Sequence, residues 1–109
     1  MNRWGIPKEL EAKVRARDRD CVYCRVKFTN RPTNADRRRN ATWEHFDNAR
    51  WNDKSIMEVN VALCCHSRNC SKGTKPLRQW FTSPYCATRN ISEKTVADPV
   101  RRFLRALRD

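Results

Sequence analysis

Cysteines stand in two groups that could hold one metal ion between them. Cys21 and Cys24 are separated by two residues, and Cys64, Cys65 and Cys70 follow about forty residues later. A Cys-x-x-Cys pair can bind a tetrahedral metal ion from one side, and a second group can complete the coordination from the other. No apolar run typical of a signal peptide opens the sequence, so we expect these cysteines to bind zinc rather than to form disulfides.

A polar cluster lies between and beside the two cysteine groups. It consists of Glu44, His45, Asn60 and Asn69. Folding the cysteine groups together would carry a carboxylate, an imidazole and two amides towards one another. That combination suits metal-assisted hydrolysis of a phosphodiester, which needs an activated water and neutralisation of the phosphate charge.

Each side chain of the polar cluster has a candidate role. His45 is the candidate general base, because an imidazole has a near-neutral pKa and can accept a proton from water. Glu44 and the amide oxygen of Asn69 are candidate ligands of a hard cation such as Mg²⁺ or Mn²⁺. Asn60 is expected to bond to the backbone of the loop between the strands and so to fix His45. The alternatives are a structural histidine, a turn residue at Asn60 and a helix cap at Asn69.

This ordered set resembles the HNH endonucleases, the ββα-metal nucleases. In that family one strand ends in an acidic residue and the catalytic histidine, which here are Glu44 and His45. An asparagine opens the second strand, and here it is Asn60. A histidine or asparagine begins the following helix shortly before a Lys-Gly pair, which matches Asn69 and Lys72-Gly73. The resemblance covers roughly residues 6–85.

The resemblance implies an α+β fold with a small ββα-metal core clipped by a structural zinc ion and flanked by N- and C-terminal helices. One nuclease domain would span residues 1–109, with its core at about 21–82 and a C-terminal helical extension at about 91–109. The implied activity is endonucleolytic hydrolysis of DNA, with Mg²⁺ or Mn²⁺ as the catalytic cation. Short proteins of this kind are often encoded by bacteria or phages, so a cytoplasmic location is expected.

The zinc ligands follow the family pattern only in part. Most relatives with this zinc site carry a cysteine where this chain has Arg68, and the glycine that often follows the first pair is replaced by Arg25. Cys65 matches the family position of the third ligand, and Cys70 is the thiol nearest to the expected fourth. The predicted set is Cys21, Cys24, Cys65 and Cys70, with Cys64 and His66 as alternatives.

The charge of the chain favours a polyanionic partner. Its 24 lysines and arginines outnumber 12 acidic residues, which gives a net charge of +12 in 109 residues. Most of the excess is arginine, which pairs with phosphate through a planar fork. We therefore expect DNA, and less readily RNA, as the partner. The candidate contact residues are Arg37, Arg38, Arg39, Lys72 and Lys75, although an arginine run can also be a solvated loop.

Hydrophobic periodicity predicts the elements that position these residues. The predicted strands cover 41–46 and 60–66, and a loop covers 47–58. The predicted helices cover 8–17, a segment that starts at Asn69 or Cys70, and a last segment that starts at Asp98-Pro99. No apolar stretch reaches membrane-spanning length, so no membrane association is expected. A monomer is favoured.

Two other functions fit the same composition. A non-catalytic zinc-containing module could bind DNA or RNA with the same basic surface and an inactive cleft. A small cationic protein could instead use its cysteines in disulfides. Divalent-metal-dependent nicking of plasmid DNA separates the first alternative from a nuclease, and zinc content with free-thiol titration separates the second from both.

Overall fold

Two short strands form a small antiparallel sheet. The computed structural model describes residues 6–28, 39–47 and 57–108. In this part of the chain, β1 (Ala41–His45) pairs with β2 (Val61–Cys65), and Trp43 lies opposite Leu63. Every residue of β2 is buried, whereas β1 is buried only at Glu44. The second strand is therefore covered on both faces, which explains its uninterrupted run of apolar residues.

Helices surround this sheet. In chain order, the helices of the described residues are α1 (Lys8–Arg17), α2 (Met57–Asn60), α3 (His66–Lys72), α4 (Leu77–Phe81), α5 (Pro84–Arg89) and α6 (Asp98–Arg108). The predicted α+β class is confirmed: the fold has a two-stranded antiparallel sheet, and helices precede, separate and follow the two strands along the chain. No helix within the described ranges is long and apolar enough to cross a bilayer.

The two faces of β2 belong to two separate apolar clusters. Val61 and Leu63 pack with Ile6 and Val14, which come from α1 and the residues just before it. The alternate residues Ala62 and Cys64 face the larger cluster formed with the 21–23 segment and with helices α4 and α6. This division follows from the period of two along a strand, since successive side chains point to opposite faces.

The last helix closes the larger cluster. Val100, Phe103 and Leu104 of α6 are buried. The Phe103 ring lies 5.1 Å from the ring of Phe46, between centroids, so α6 packs directly beyond the end of β1. The C-terminal helix is thus part of the same apolar core as the strands.

The chain after β2 differs from the prediction. The helix starts at His66 rather than at Asn69 or Cys70, because Cys65 is extended and serves as its N-cap residue. It stops after Lys72, where Gly73 adopts φ +54°, a left-handed conformation that glycine tolerates best. A new helix begins after Pro76, whose ring would clash with a continuous helix. Residues 57 and 58, expected in a loop, belong to α2.

A buried carboxylate ties α1 to β2. The Asp18 side chain is 1% exposed and pairs with Arg17 at 2.7 Å. Its second oxygen accepts the backbone N–H of Leu63 at 3.0 Å, and Arg17 also donates to the carbonyl of Val61 at 2.8 Å. These bonds satisfy polar backbone groups on the outer side of β2 that would otherwise be buried without partners.

We expect Asp18→Ala to destabilise the fold by about 1–3 kcal/mol, because the buried N–H of Leu63 loses its acceptor. The midpoint of urea unfolding at an unchanged slope measures the change. Asp18→Asn keeps an acceptor and should lose less. The control is Glu11→Ala, which removes the exposed Glu11–Arg15 pair on the same helix and should cost less than about 1 kcal/mol. Equal losses in the Ala variants would contradict this role of Asp18.

Candidate metal centre and nuclease site

Three thiols meet between the 21–24 turn and the end of β2. The sulfur atoms of Cys21, Cys24 and Cys65 all lie within 4.8 Å of one another. The Cys24 and Cys65 sulfurs are 3.8 Å apart, which matches the separation of about 3.8 Å expected for two ligands at about 2.3 Å from a tetrahedral zinc ion. The cluster can therefore hold a metal ion and is compatible with structural zinc.

Backbone bonds shape the first two ligands into a tight turn. The Cys21 N–H donates to the carbonyl of Val26 at 2.9 Å, and the Arg25 N–H donates back to the carbonyl of Cys21 at 2.9 Å. The Tyr23 N–H also points at the Cys21 sulfur, at 3.4 Å. Arg25 adopts φ 67°, a left-handed conformation. A glycine would fit this conformation more easily, so Arg25 occupies a mildly strained position.

The protonation of the three thiols is coupled, and Cys24 loses its proton most readily. Hydrogen bonds with Cys21 and then with Cys65 hold the pKa of the Cys24 thiol far below its ordinary value. The hydrogen bond with Cys24 raises the pKa of Cys21, and the hydrogen bonds with Cys21 and Cys24 raise the pKa of Cys65. A divalent cation removes the mutual repulsion of the thiolates, and thiolate is the form that binds metal.

The structure does not bring Cys70, the predicted fourth ligand, to this cluster. Cys70 is exposed, and its sulfur lies 3.5 Å from Nε2 of His66. The reason is the early start of α3: with the helix beginning at His66, residues 66 and 70 stand one turn apart on the same face. Cys64 is excluded by strand alternation, and its sulfur lies 3.8 Å from the hydroxyl of Thr42 instead.

The carboxylate of Glu44 is buried between two partners. Glu44 is 3% exposed and Lys72 is fully buried. The Tyr23 hydroxyl donates to Oε2 of Glu44 at 2.8 Å, and the Lys72 ammonium lies 3.7 Å from Oε1. Burial raises the pKa of Glu44, an effect that the Lys72 charge and the Tyr23 hydrogen bond oppose. Burial raises the pKa of Tyr23 well above its ordinary range, so the phenol stays a hydrogen-bond donor.

His45 is half-buried at the end of β1. The Lys72 ammonium lies 3.4 Å from its carbonyl oxygen. Burial lowers the pKa of the imidazole, and the nearby charge of Lys72 lowers it further. The ring is therefore neutral at pH 7, since its ordinary pKa of 6.5 is already below that pH. A neutral imidazole is the form that can accept a proton.

Asn60 clamps the chain that follows His45. Its amide oxygen accepts the backbone N–H of Asp47 at 2.8 Å, and its amide nitrogen donates to the carbonyl of Asp47 at 3.1 Å. The Phe46 N–H donates to the carbonyl of Asn60 at 2.9 Å. The predicted bonds from Asn60 to backbone are therefore present, and they hold the two residues after His45 in place.

Asn69 ties α3 to β1. Its amide nitrogen donates to the hydroxyl of Thr42 at 2.9 Å and to the carbonyl of Trp43 at 3.0 Å. Asn69 lies within α3 and does not cap it, because Cys65 is the N-cap residue. The side chain thus fixes the helix against the strand that carries Glu44 and His45.

The described geometry does not provide the predicted catalytic cation with its ligands. Among the described residues, the three cysteines are the one group of three or more His, Cys, Asp or Glu side chains close enough to bind a metal ion. The Glu44 carboxylate is enclosed and already bonded to Tyr23 and Lys72. The ammonium of Lys72 supplies the positive charge next to this carboxylate.

The predicted phosphate-contacting residues separate into three groups. Arg37 and Arg38 lie outside the described residues. Arg39 and Lys75 are exposed to solvent. Lys72 is fully buried, so the expectation that it meets a phosphate is wrong for this geometry; its ammonium faces Glu44 instead. Tyr23, the partner of Glu44, was not among the predicted site residues; it lies inside the Cys-x-x-Cys turn and is buried.

Comparison of the chain with protein-family models, with curated proteins and with solved structures finds no match.

We expect the purified chain to retain one zinc ion and Cys24→Ser to lose it and unfold, because small zinc domains seldom fold without metal. Plasma emission analysis measures zinc, and circular dichroism measures folding. The matched control is Cys70→Ser, which should keep both zinc and fold. Loss of zinc in the Cys70 variant would place Cys70 among the ligands after all.

We expect Lys72→Met to destabilise the fold by about 3–5 kcal/mol, because it leaves the Glu44 carboxylate buried without its cation. The double variant Glu44→Gln with Lys72→Met should recover much of this loss. Thermal and urea unfolding measure both, and Lys75→Met on the exposed surface is the control. A Lys72→Met protein as stable as the Lys75 control would show that the buried pair is not formed.

Proposed function

We propose that the chain is an endonuclease of the HNH type that hydrolyses phosphodiester bonds in DNA. The observation that carries the proposal is the placement of His45. Its imidazole lies at the end of β1, its pKa is lowered by burial and by Lys72, and the chain after it is clamped by Asn60. A neutral imidazole on a fixed backbone is what general-base catalysis requires.

In this proposal His45 accepts the proton of the attacking water. Two features support that role. The Asn60–Asp47 bonds restrict the backbone directly after the imidazole, and Asn69 anchors α3 to the carbonyl of Trp43, two residues before it. The backbone that carries the imidazole is therefore held on both sides of His45, so little backbone reorganisation is needed when water and phosphate arrive.

Charge supports a nucleic acid as substrate. The net charge of +12 attracts a polyanion. Arg39 adjoins the start of β1 and Lys75 follows α3, and both are exposed. These cations would contact phosphates and position the strand, while contacts of this kind carry no base specificity.

A divalent cation, Mg²⁺ or Mn²⁺, held by Glu44 and Asn69 stays a prediction from the family resemblance. Glu44 could bind this cation only after the Lys72 ammonium moves away, since the cation and the ammonium would compete for the same carboxylate. The requirement for an added divalent cation is therefore part of the test.

The Glu44–Lys72 pair favours one alternative function. A carboxylate enclosed by Tyr23 and Lys72 has a structural use that needs no catalysis. On that basis the second candidate is a non-catalytic zinc-containing module that binds DNA or RNA through the same basic surface.

We expect the wild-type chain to nick supercoiled plasmid in Mg²⁺ or Mn²⁺ and to lose this activity in EDTA. His45→Ala should lower the rate by about 10² to 10⁴, because general-base catalysis typically contributes that much. The matched control is His66→Ala, which removes the other histidine of the chain and should nick normally. Nicked and linear plasmid are quantified on gels.

Binding measured by gel shift separates the two candidates. A nuclease predicts that His45→Ala binds DNA as wild type does and fails to cut it. If the wild-type chain binds DNA and cuts none in any divalent cation, the non-catalytic module is the correct function. Normal nicking by His45→Ala would remove His45 as the base.

A further inference from the structure

The thiol cluster offers three protein ligands to a metal that prefers four. Zinc in structural sites is almost always four-coordinate. No further His, Cys, Asp or Glu among the described residues joins Cys21, Cys24 and Cys65 within 4.8 Å. The other three cysteines are also among the described residues and lie elsewhere: Cys64 faces Thr42, Cys70 faces His66, and the buried Cys86 lies on α5.

Arg68 borders this cluster. It stands in the first turn of α3, three residues after Cys65, and its backbone N–H bonds to the sulfur of Cys65. The positive charge of its guanidinium therefore lies beside the thiol cluster.

Tyr85 holds the Arg68 guanidinium in place, and one N–H donor of the guanidinium has no hydrogen-bond partner in the described part of the chain. Its Nη1 donates to the hydroxyl of Tyr85 at 2.9 Å, and its central carbon lies 5.7 Å from the Tyr85 ring centroid. Its Nε is buried and has no hydrogen-bond partner in the described part of the chain. A buried donor without a partner is costly, so a ligand that accepts this hydrogen bond would be stabilised.

Charge balance points the same way. A divalent ion with three thiolates carries one negative charge, which a single guanidinium neutralises. With a small anion in the fourth position the centre and the guanidinium together carry one negative charge, and the unpartnered Nε–H of Arg68 can donate a hydrogen bond to that anion.

We propose that the metal centre is formed by three protein thiolates, from Cys21, Cys24 and Cys65, and that its fourth position takes a small exogenous anion which Arg68 holds by charge and by hydrogen bonding. Metal sites with an open fourth position exchange ligands, whereas closed four-thiolate sites do not. This inference concerns the cysteine centre alone and does not depend on the proposed nuclease activity.

The test uses the full chain with cobalt(II) in place of zinc. The intensity of the thiolate-to-cobalt charge-transfer band reports the number of thiolates, and the visible bands report changes in the remaining ligand. We expect wild type to show three thiolates, and sodium azide to shift its visible bands in a saturable titration. Arg68→Cys should show four thiolates and should no longer respond to azide.

Control variants change each of the three remaining cysteines and the arginine. Cys64→Ser, Cys70→Ser and Cys86→Ser should each keep three thiolates and the azide response. Arg68→Gln should keep three thiolates and bind azide at least tenfold more weakly, because the guanidinium charge is gone. If Arg68→Cys does not fold, the wild-type titration and the Arg68→Gln titration still decide.

Two results would overturn the proposal. One is a four-thiolate spectrum in wild type that falls to three in any of the serine variants, which would identify a fourth protein ligand. The other is a wild-type spectrum that azide leaves unchanged, which would show a closed site.

Discussion

Convergence of three thiols on one point sets the arrangement of the candidate site. Cys21 and Cys24 bracket Tyr23, whose hydroxyl reaches Glu44. Cys65 ends β2 and is the N-cap residue of α3, the helix that carries Asn69 and Lys72. A metal bound by these sulfurs therefore fixes both the segment that contacts Glu44 from one side and the helix that contacts it from the other. The polar site around Glu44 therefore depends on the metal-binding cysteines, which lie outside it.

This dependence is understandable from the size of the protein. The chain has 109 residues and 39% hydrophobic residues, and its apolar side chains are split between two clusters on the two faces of β2. Net stabilities of domains are about 5–15 kcal/mol, whereas binding of structural zinc contributes about 10–16 kcal/mol in small zinc domains. Metal binding can thus contribute a free energy comparable to the whole net stability of a domain of this size.

Strong periodic signals made part of this fold predictable. The bounds of α1 agree with the prediction, because Pro7 at the N-terminus of the helix and the apolar residues Leu10 and Val14, four apart, mark it. The strands are shorter than predicted by one residue at the end of β1 and at each end of β2, since hydrophobic residues alone do not show where pairing stops. The bonds from Asn60 to the loop were predictable from the order of strand, loop and strand.

Other parts could not be read from residue types. The start of α3 depends on the extended backbone at Cys65, which nothing in the sequence marks, and a shift of a few residues turned Cys70 from a predicted ligand into an exposed thiol. Lys72 is buried although lysine is almost never fully buried unless paired. Its partner, Glu44, is distant in sequence, so only the packing of α3 on β1 reveals the pair.

The exposed sulfur of Cys70 gives this protein a particular chemical vulnerability. Cys21, Cys64, Cys65 and Cys86 are buried and Cys24 is partly buried, so Cys70 alone among the six presents its side chain openly to solvent. With metal bound to the three clustered thiols, oxygen in aerated buffer would couple two chains through this position. The same accessibility makes Cys70 a selective attachment point for a maleimide dye, which would report on α3 without disturbing the three-thiol cluster.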